Sequence, residues 1–589
     1  MKFRLLFLAL ALAMLLVGTA AASTINVNTT GWWEEGNAFN ASPTPIQSAL
    51  NNATSGDTIR VVETASYSES ISVTQNNLRL NLQGSTLDGS ASSSNGVTIS
   101  SKNEFTIGNG TIVGFRSAIL TAGTVSDFTI DNIVITNPSE DGIQLYGHVT
   151  DFTISDSLIT DPRYGIYSDN DFNTDGFNAI NVTILNPGSR GIFLDDHNNN
   201  NIFTKDVYLE DVTVSNSAGA GIYIVNNDES SGNTTIVDSH ISNCARAFQL
   251  DSGKGPILIS NSTFIDGTDY GLYMSATSGS ELTLTNNIIS GNNNGLYLNG
   301  FSDFTFPTSN TVSNNGGYVF NLANLENVTI RDFVIDNSHY RGFSLTTCTN
   351  FTLGNISISG STDNSILVSG SNFNITFEDL TITDPAVDGI QFYGHVTDFT
   401  ISDSLITDPR YGIYSDNDFN TDGFNAINVT ILNPGSRGIF LDDHNNNNIF
   451  TKDVYLEDVT VSNSAGAGIY IVNNDESSGN TTIVDSHISN CARAFQLDSG
   501  KGPILISNST FIDGTDYGLY MSATSGSELT LTNNIISGNN NGLYLSGFSD
   551  FTFPTSNTFN NTGTAFSLTS TDNVTLQDIV INYPHTTGV

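Results

Sequence analysis

The residues in this chain that could do chemistry are acidic side chains at a fixed distance from a repeated glycine. Four residues past that glycine, two neighbouring repeats carry Asp169 and Asp195, and two later repeats carry Asp416 and Asp442. Carboxylates stacked in this way could hold Ca²⁺ through oxygen ligands. They could also repel each other until one keeps its proton, as the acid and the base or nucleophile of a glycosidase do. The spacing therefore predicts a calcium site at these four residues or a catalytic pair.

Other polar side chains accompany these carboxylates. The pattern leaves four interpretations open: solvated loop acids, a cation site, polysaccharide binding without chemistry, and catalysis. The candidates for catalysis are Asp175, Asp195, Asp196 and His197, with the copies Asp422, Asp442, Asp443 and His444. The candidates for ligand binding are Tyr167, Asp169, Asp171, Asn226 and Asp228.

A near-identical duplication indicates the architecture that must position these residues. Residues 141–311 recur as 388–558, with two changes in 171 residues. A closed globular core does not accept 247 extra residues in its middle, whereas a solenoid does, because each unit contacts only its neighbours. The duplication therefore predicts a repeat protein.

A shorter period specifies the solenoid. A glycine or alanine followed by an aliphatic or aromatic residue recurs every 22 to 30 residues, with turn formers and short alternating segments between. Neither a helical period nor leucine-rich spacing is present. Ile159 and Leu185, six residues before two of the glycines, are expected to point into the core. The pattern predicts an all-β, right-handed parallel β-helix of roughly 20 coils, with corresponding strands about 4.8 Å apart.

The N-terminal segment predicts a cap for this solenoid. Ile46, Ala49, Leu50 and Ala53 would share one face of a short helix that covers the first strand edge. The segments after it read GDTIRV and YSESISV. This succession resembles the cap of pectin-lyase-like right-handed β-helix proteins, a superfamily that includes lyases, hydrolases, esterases, adhesins and surface proteins. The resemblance therefore implies a fold and leaves the reaction open.

One local segment resembles a particular enzyme family. Asn173 to Phe177 reads NTDGF, similar to the NTDG element of polygalacturonases, and would make Asp175, Asp195 and Asp196 an acidic trio. That family's Gly-His-Gly and Arg-x-Lys elements have no counterpart downstream. The period also predicts that Asp175 lies in an inserted loop and not on a strand.

The first residues predict export. Two basic residues precede an apolar run and a small-residue cleavage site, typical of a signal peptide over residues 1–22. We divide the remainder into an N-terminal extension over 23–44, the cap and first coils over 45–85, and the β-helix over 86–589. No other segment reaches 18 apolar residues, so no transmembrane span is expected. The sequence ends part-way into a coil, which indicates a fragment or an open end available for self-association.

The amino-acid composition restricts the kinds of partner that this chain can bind. The net charge is −41, from 18 Lys and Arg against 59 Asp and Glu, which excludes a nucleic-acid binder because such a protein needs a basic face. Many Asn-X-Ser/Thr sequons suit a glycoprotein, although asparagine also favours β-helix turns. The three cysteines lie too many coils apart to pair within one molecule.

These features together predict an exported, acidic surface protein, most like the repetitive β-helix surface proteins of archaea. Its expected role is structural or adhesive, with a polysaccharide or cell-surface polymer, or cations such as Ca²⁺, as ligand. The alternative is a secreted polysaccharide hydrolase or lyase of the pectin-lyase-like superfamily.

Overall fold

The computed structural model describes residues 22–168, 174–195, 205–225, 232–336, 340–415, 421–443, 452–473, 479–524, 527–553, 556–577 and 579–582. The chain forms two compact units, Met1–His240 and Ile241–Val589. Each unit is built from turns of a parallel β-solenoid, about 19 turns in all. The prediction of an all-β solenoid with one short N-terminal helix is confirmed.

The helix and the strands have the following bounds. Helix α1 spans Pro45–Asn52. Strands β1 to β21 span, in chain order, Thr24–Asn28, Gly31–Glu34, Asn40–Ala41, Thr58–Val61, Ser66–Tyr67, Ile71–Ser72, Leu78–Asn81, Thr86–Asp88, Val97–Ser100, Phe105–Val113, Ile119–Ala122, Val125–Thr136, Ile143–Leu145, Val149–Thr160, Tyr164–Ser168, Thr174–Leu185, Arg190–Leu194, Lys205–Glu210, Thr213–Ser215, Ile222–Val225 and Thr234–Val237. Strands β22 to β57 span His240–Ser242, Phe248–Gly253, Ile257–Ser260, Thr263–Ile265, Tyr270–Ser280, Leu282–Thr285, Ile288–Ser290, Asn294–Phe301, Thr305–Phe306, Thr311–Ser313, Tyr318–Ala323, Glu326–Ile335, Arg341–Thr346, Thr349–Ser359, Ile366–Thr383, Ile390–Thr407, Tyr411–Ser415, Thr421–Leu432, Arg437–Asp443, Lys452–Glu457, Thr460–Ser462, Ala467–Asn473, Thr481–Val484, His487–Ser489, Arg493–Gly500, Ile504–Ser507, Thr510–Ile512, Tyr517–Ala523, Leu529–Thr532, Ile535–Ser537, Asn541–Ser546, Thr552–Phe553, Thr558–Asn560, Phe566–Thr569, Thr575–Leu576 and Val580–Ile581.

Each turn bends at residues in the left-handed backbone conformation. In the turn that contains β14, Asp151, Asp156 and Asp161 have φ of 53°, 48° and 55°. Asparagine and aspartate tolerate this conformation better than other residues with a Cβ. These corner positions explain much of the chain's high content of asparagine and aspartate.

Several sequons are a consequence of the same corners. Asn181, Asn350 and Asn428 begin sequons and stand at corners with φ of 52°, 50° and 52°. Their side-chain amides donate to a corner side chain of the preceding turn, for example Asn350 Nδ2 to Asn327 Oδ1 at 2.8 Å. The backbone therefore accounts for asparagine at these positions whether or not a glycan is attached.

The core consists of side chains that stack turn upon turn. In the first unit β12, β14 and β16 are parallel and in register, which aligns Phe128, Phe152 and Phe177. Their ring centroids are 5.5 and 5.3 Å apart. In the second unit Phe399 and Phe424 repeat this stack at 5.5 Å. Burial of these apolar rings, which are fully enclosed, drives the coiling.

The repeated glycine stands where adjacent turns approach most closely. A Cβ on Gly438 would lie 2.5 Å from the carbonyl oxygen of Gly468 and 2.5 Å from Cγ1 of Val461. Gly412 has the same relation to the Gly438 carbonyl, at 2.6 Å. Because a backbone oxygen cannot move aside cheaply, the contact explains why the period carries glycine.

In one turn, the residue that was predicted to lie in the core is one position away from the residue that is buried. Ile159 is buried as predicted and pairs with Ile184, which is also fully buried. Leu185 was predicted to be the equivalent core residue, and this is wrong, because it faces outwards and is half-buried. The segment from Ile184 to the next glycine is one residue longer, so counting back from the glycine selects the wrong side of the strand.

Helix α1 covers the first turns of the solenoid. Its own N-terminus is capped by the carboxylate of Glu69, which lies between β5 and β6. Ile46, Ala49 and Leu50 are buried, as predicted for the capping face. Thr44, which precedes the helix, makes no side-chain capping hydrogen bond. The two carboxylate oxygens of Glu69 instead accept from the backbone N–H groups of Ile46 and Gln47, at 3.0 Å each. Glu69 is 6% exposed, and burial raises the pKa of its carboxyl.

We expect Glu69→Ala to loosen the cap. It removes two hydrogen bonds to a charged acceptor at the positive end of the helix, a loss of about 2–3 kcal/mol. Amide hydrogen exchange over Pro45–Asn52 should accelerate about 30-fold or more, since 1.4 kcal/mol is about tenfold. Glu63→Ala is the matched control, because Glu63 accepts from Thr29 at the surface. Equal exchange rates in the two variants would contradict the capping role.

The three cysteines are enclosed in the described part of the chain. Cys244, Cys348 and Cys491 are buried thiols. Burial raises the pKa of the Cys348 and Cys491 thiols to about 11, so both stay protonated and unreactive in the folded chain. Within the described ranges, no helix has the length and apolar character needed to cross a membrane.

Candidate functional site

Many of the predicted site residues lie outside the described residues. Asp422 and Asp443 lie in β39 and β40, where the backbone alone is described. The predicted residues outside the described ranges are Asp169, Asp171, Asp196, His197, Asn226, Asp228, Asp416 and His444. Their proposed roles remain predictions.

The structure places two members of the expected acidic trio at strand ends. Asp175 lies in β16, where it pairs in register with Thr150 of β14. The prediction that it lies in an inserted loop is therefore wrong, because the strand begins one residue earlier, at Thr174. Asp195 follows β17 and is 9% exposed. The polygalacturonase-like acidic trio remains a prediction.

Among the described residues, no further acidic side chains cluster with the predicted metal ligands. There, no three side chains of histidine, cysteine, aspartate or glutamate converge as a metal site requires. Asp442, the partner predicted for Asp416, is in β40 and pairs in register with Val472 of β43. Calcium binding at Asp195 and Asp442 remains a prediction.

The structure instead draws attention to a row of aromatic side chains on the outer face of one sheet in the second unit. The strand registers place Tyr414 beside Phe440 and Phe440 beside Tyr470, and further along Tyr520 beside Tyr544. We call these five residues the aromatic ladder. All five stand two residues past the repeated glycine, the position at which the sequence predicted Tyr167 as a ligand residue.

The rings of the ladder stack on one another. The centroids of Phe440 and Tyr470 are 4.9 Å apart with an angle of 4° between planes, and those of Tyr520 and Tyr544 are 4.5 Å apart at 9°. Phe440 and Tyr470 are only 7% and 9% exposed, whereas Tyr414, Tyr520 and Tyr544 are half-buried. Because their faces cover one another, the ladder offers a ligand mainly ring edges and hydroxyl groups.

The first unit contains the equivalent of the first three rungs. Tyr167 stacks on Phe193 at 5.6 Å, and Phe193 stacks on Tyr223 at 4.9 Å. Arg190 lies over the Phe193 ring at 4.2 Å, as Arg437 lies over Phe440 at 4.2 Å in the second unit. Tyr167 is thus part of an aromatic row, as the sequence indicated.

Arginines follow one side of the ladder. Besides Arg437, Arg493 lies over the Tyr520 ring at 4.1 Å, and Arg410 lies over the Tyr414 ring at 5.9 Å. Arg493 also forms an ion pair with Asp516 at 2.9 Å, and Arg410 with Asp388 at 2.7 Å. These cations add rigidity to the ladder by covering aromatic faces.

A polar group lies on the opposite side of the ladder. The Tyr470 hydroxyl donates to Oδ2 of Asp498 at 2.6 Å, and Gln496 Nε2 donates to the same oxygen at 2.9 Å. Burial, that hydrogen bond and the negative charges of Asp498 and Asp442 raise the pKa of Tyr470. The phenol therefore stays protonated at neutral pH and acts as a hydrogen-bond donor.

Gln496 and Asp498 were missed in the sequence, although a signal was present. Counting two residues past each repeated glycine or alanine gives tyrosine or phenylalanine in most turns, and glutamine at Gln144, Gln249, Gln391 and Gln496. Between Tyr414 and Tyr544, the turn containing Gln496 is the one exception in the aromatic series. Its registers with Tyr470 on one side and Tyr520 on the other confirm that it occupies the same row.

The second unit also has a surface groove away from the ladder. It measures about 430 Å³ and includes Asp379 and Asp403 on successive turns, between the corner residues Asn355 and Asn428. Asn428 Nδ2 donates to Asp403 Oδ1 at 2.7 Å, so part of this acidity is already used within the corner row. The groove is consistent with a solvated, acidic solenoid corner.

Comparisons with known proteins place the chain among repeat proteins. A family model described as "Right handed beta helix region" matches residues 164–318, 275–422 and 411–581. No curated protein matches the chain significantly.

Solved structures resemble the chain at low identity. An alginate lyase of the PL6 family is 11% identical over 95% of this chain and 100% of its own, with a TM-score of 0.27. An alginate lyase from Paenibacillus sp. str. FPU-7 is 11% identical over 65% of this chain and 92% of its own, at 0.21. A polygalacturonase from Erwinia carotovora ssp. carotovora is 13% identical over 70% and 95%, at 0.22. Likeness at these TM-scores carries no conclusion about function.

Proposed function

The chain belongs to the right-handed β-helix family, and from this premise and the aromatic ladder we propose that it is an exported surface protein that binds polysaccharide. The observation that carries the proposal is the row of Tyr414, Phe440, Tyr470, Tyr520 and Tyr544 with carboxylates along one side. Its role is structural or adhesive. Export follows from the predicted signal peptide over residues 1–22.

The regular spacing of side chains on successive turns suits a ligand made of repeated units. Successive turns present corresponding side chains about 4.8 Å apart. A polymer of identical units can contact several turns at once, and two nearly identical segments in one chain increase the effective affinity through avidity. Tyrosine hydroxyls and the Asp498 carboxylate supply the donors and acceptors that sugar hydroxyl groups require.

The protonation state of Tyr470 makes it a hydrogen-bond donor and not a base. A general base needs a pKa near the working pH, and a tyrosine base must be ionised. The raised pKa of Tyr470 keeps its proton in place. Asp442 lies close enough to Tyr470 to contribute to its raised pKa. This second carboxylate beside the ladder is half-buried.

The test is binding of the purified chain to neutral and acidic polysaccharides, with and without Ca²⁺, by affinity electrophoresis. We expect retardation in at least one polysaccharide without new reducing ends or unsaturated products. Tyr273→Ala with Tyr520→Ala should weaken binding about tenfold or more, since about 1.4 kcal/mol suffices. Tyr520 is a half-buried ladder residue, and Tyr273 is its half-buried copy in the first duplicated segment.

The control is Tyr208→Ala with Tyr455→Ala. Each of these tyrosines donates to a glutamate two residues away, Tyr208 to Glu210 at 2.9 Å and Tyr455 to Glu457 at 2.8 Å. Tyr455 lies in β41, which pairs with β39 and β44 and not with the ladder strands. This variant should bind as the unaltered chain does. Equal weakening in both variants, or release of shortened polysaccharide, would contradict the proposal, and release would support the enzyme alternative.

A further inference from the structure

The aromatic ladder has one polar rung. Gln496 stands in register between Tyr470 and Tyr520, where the neighbouring turns carry rings. Tyr470 and Tyr520 are thereby two turns apart, roughly 9–10 Å at the strand spacing. Because glutamine is narrower than a ring, stacking is interrupted at this turn alone in the row from Tyr414 to Tyr544.

The interruption coincides with a carboxylate that is held in one orientation. Both hydrogen bonds to Asp498, from the Tyr470 hydroxyl at 2.6 Å and from Gln496 at 2.9 Å, end on Oδ2. A carboxylate has about four acceptor positions, so Oδ1 retains acceptor capacity. Asp498 is half-buried, so part of this residue is exposed at the edge of the ladder. An acceptor fixed in advance loses little conformational freedom on binding.

The first copy of the segment repeats two of these contacts. Gln249 Nε2 donates to Asp251 Oδ2 at 2.9 Å, and Arg246 lies over the Tyr273 ring at 4.0 Å. In the second copy the matching distances are 2.9 Å for Gln496 to Asp498 and 4.1 Å for Arg493 over Tyr520. The polar rung is therefore present twice in the chain.

We propose that Gln496 and Asp498, with their copies Gln249 and Asp251, form a subsite for one hexose of a neutral polysaccharide. This inference rests on the proposed function and names its ligand class. Asp498 accepts hydrogen bonds from hydroxyl groups of the hexose. Gln496 orients that carboxylate and fills the base of the gap between Tyr470 and Tyr520.

The charges around the rung select a neutral ligand. The chain carries a net charge of −41, and Asp442 adds a negative charge close to Tyr470. Of the two nearby arginines, Arg493 already pairs with Asp516 at 2.9 Å, and Arg437 lies over the Tyr470 ring at 4.9 Å. A polyuronate or sulfated chain would bring like charges beside Asp498 and Asp442, which weakens association. Neutral sugar hydroxyls donate to these carboxylates without that repulsion.

The test compares the unaltered chain with the variant Asp251→Asn and Asp498→Asn, using a panel of neutral and acidic polysaccharides in the presence of EDTA. The substitution keeps the size of the side chain and removes a charged acceptor from both subsites. We expect affinity for the neutral polysaccharide to fall about tenfold or more. Asp156→Asn with Asp403→Asn, which alters corner acids on another face, is the control and should bind normally.

A second variant keeps the test decisive if the asparagine substitutions disturb folding. Gln249→Tyr with Gln496→Tyr completes the stack and should abolish binding while the melting temperature stays the same or rises. Binding that survives in both variants would overturn the subsite and leave the proposed function standing. Preference for acidic polysaccharides, or binding lost in EDTA, would overturn the neutral ligand. If the unaltered chain binds no polysaccharide, the proposed function itself fails.

Discussion

Replacing Asn539 with alanine should destabilise the surrounding turns by about 3 kcal/mol or more. Its side chain is fully buried and replaces backbone pairing at a bend. Oδ1 accepts from the N–H of Gly514 at 2.8 Å, and Nδ2 donates to the carbonyl of Phe511 at 2.9 Å and to Asn561 Oδ1 at 3.0 Å. Alanine removes the side-chain partner of two buried groups, the N–H of Gly514 and the carbonyl of Phe511, and each loss costs about 1–3 kcal/mol. Asn561 Oδ1 keeps the backbone N–H of Asn539, which donates to it at 3.2 Å.

The effect of Asn539→Ala is best measured by amide hydrogen exchange, because repeat arrays unfold in parts and a single transition does not report one turn. Exchange should accelerate by about a hundredfold over the turns that contain Phe511 and Asn561. Asn533→Gly is the control. Asn533 is an exposed corner residue whose Nδ2 donates to Asn508 Oδ1 at 3.2 Å, and glycine tolerates its φ of 57°. A similar acceleration in the control would refute the role of the buried amide.

Arg410→Met is expected to cost about 3–5 kcal/mol at neutral pH, the usual result of removing one partner of a buried ion pair. The Asp388 side chain is fully enclosed, while Arg410 remains about half exposed. Arg410 donates to the carboxylate from Nε at 2.9 Å and from Nη2 at 2.7 Å. Methionine keeps most of the apolar stem and leaves Asp388 without its counter-charge.

The loss in Arg410→Met should shrink as the pH falls. Burial raises the pKa of the Asp388 carboxyl even with Arg410 present, and removing the cation raises it further. A carboxyl whose pKa is higher in the folded chain than in the unfolded one binds its proton first in the folded chain. Acidification through that raised pKa therefore restores stability relative to neutral pH.

Amide hydrogen exchange of the turns around Asp388, compared between Arg410→Met and the unaltered chain at each pH from 4 to 7, measures this dependence. Arg116→Met is the control, since Arg116 and Glu140 form a pair whose side chains are 56% and 32% exposed, and it should cost less than about 1 kcal/mol. Arg163→Met should reproduce the effect in the first unit, because Arg163 contacts the enclosed Asp141 at the same 2.7 Å. A loss that does not change with pH would show that Asp388 is not the group responsible.

The sequence by itself predicted the solenoid and its cap. The duplication, the repeated glycine and the alternation of short apolar segments are all local patterns. They specify a parallel β-helix because adjacent turns repeat the same contacts. Gly438 illustrates the reason, since its missing side chain is required by the nearest turn, whose carbonyl would lie 2.5 Å from a Cβ. The face of the capping helix followed from helical spacing in the same way.

Only the tertiary structure decided the side-chain contacts between neighbouring turns. Glu69 caps a helix some twenty residues earlier, Asp388 pairs with Arg410 of the following turn, and Asp498 is held by Tyr470 of the preceding one. Insertions of one or a few residues between glycines change these partners. Leu185, predicted to lie in the core, faces outwards for that reason. Local spacing determines the period of a solenoid, whereas its side-chain contacts depend on the register between turns, which only the folded chain establishes.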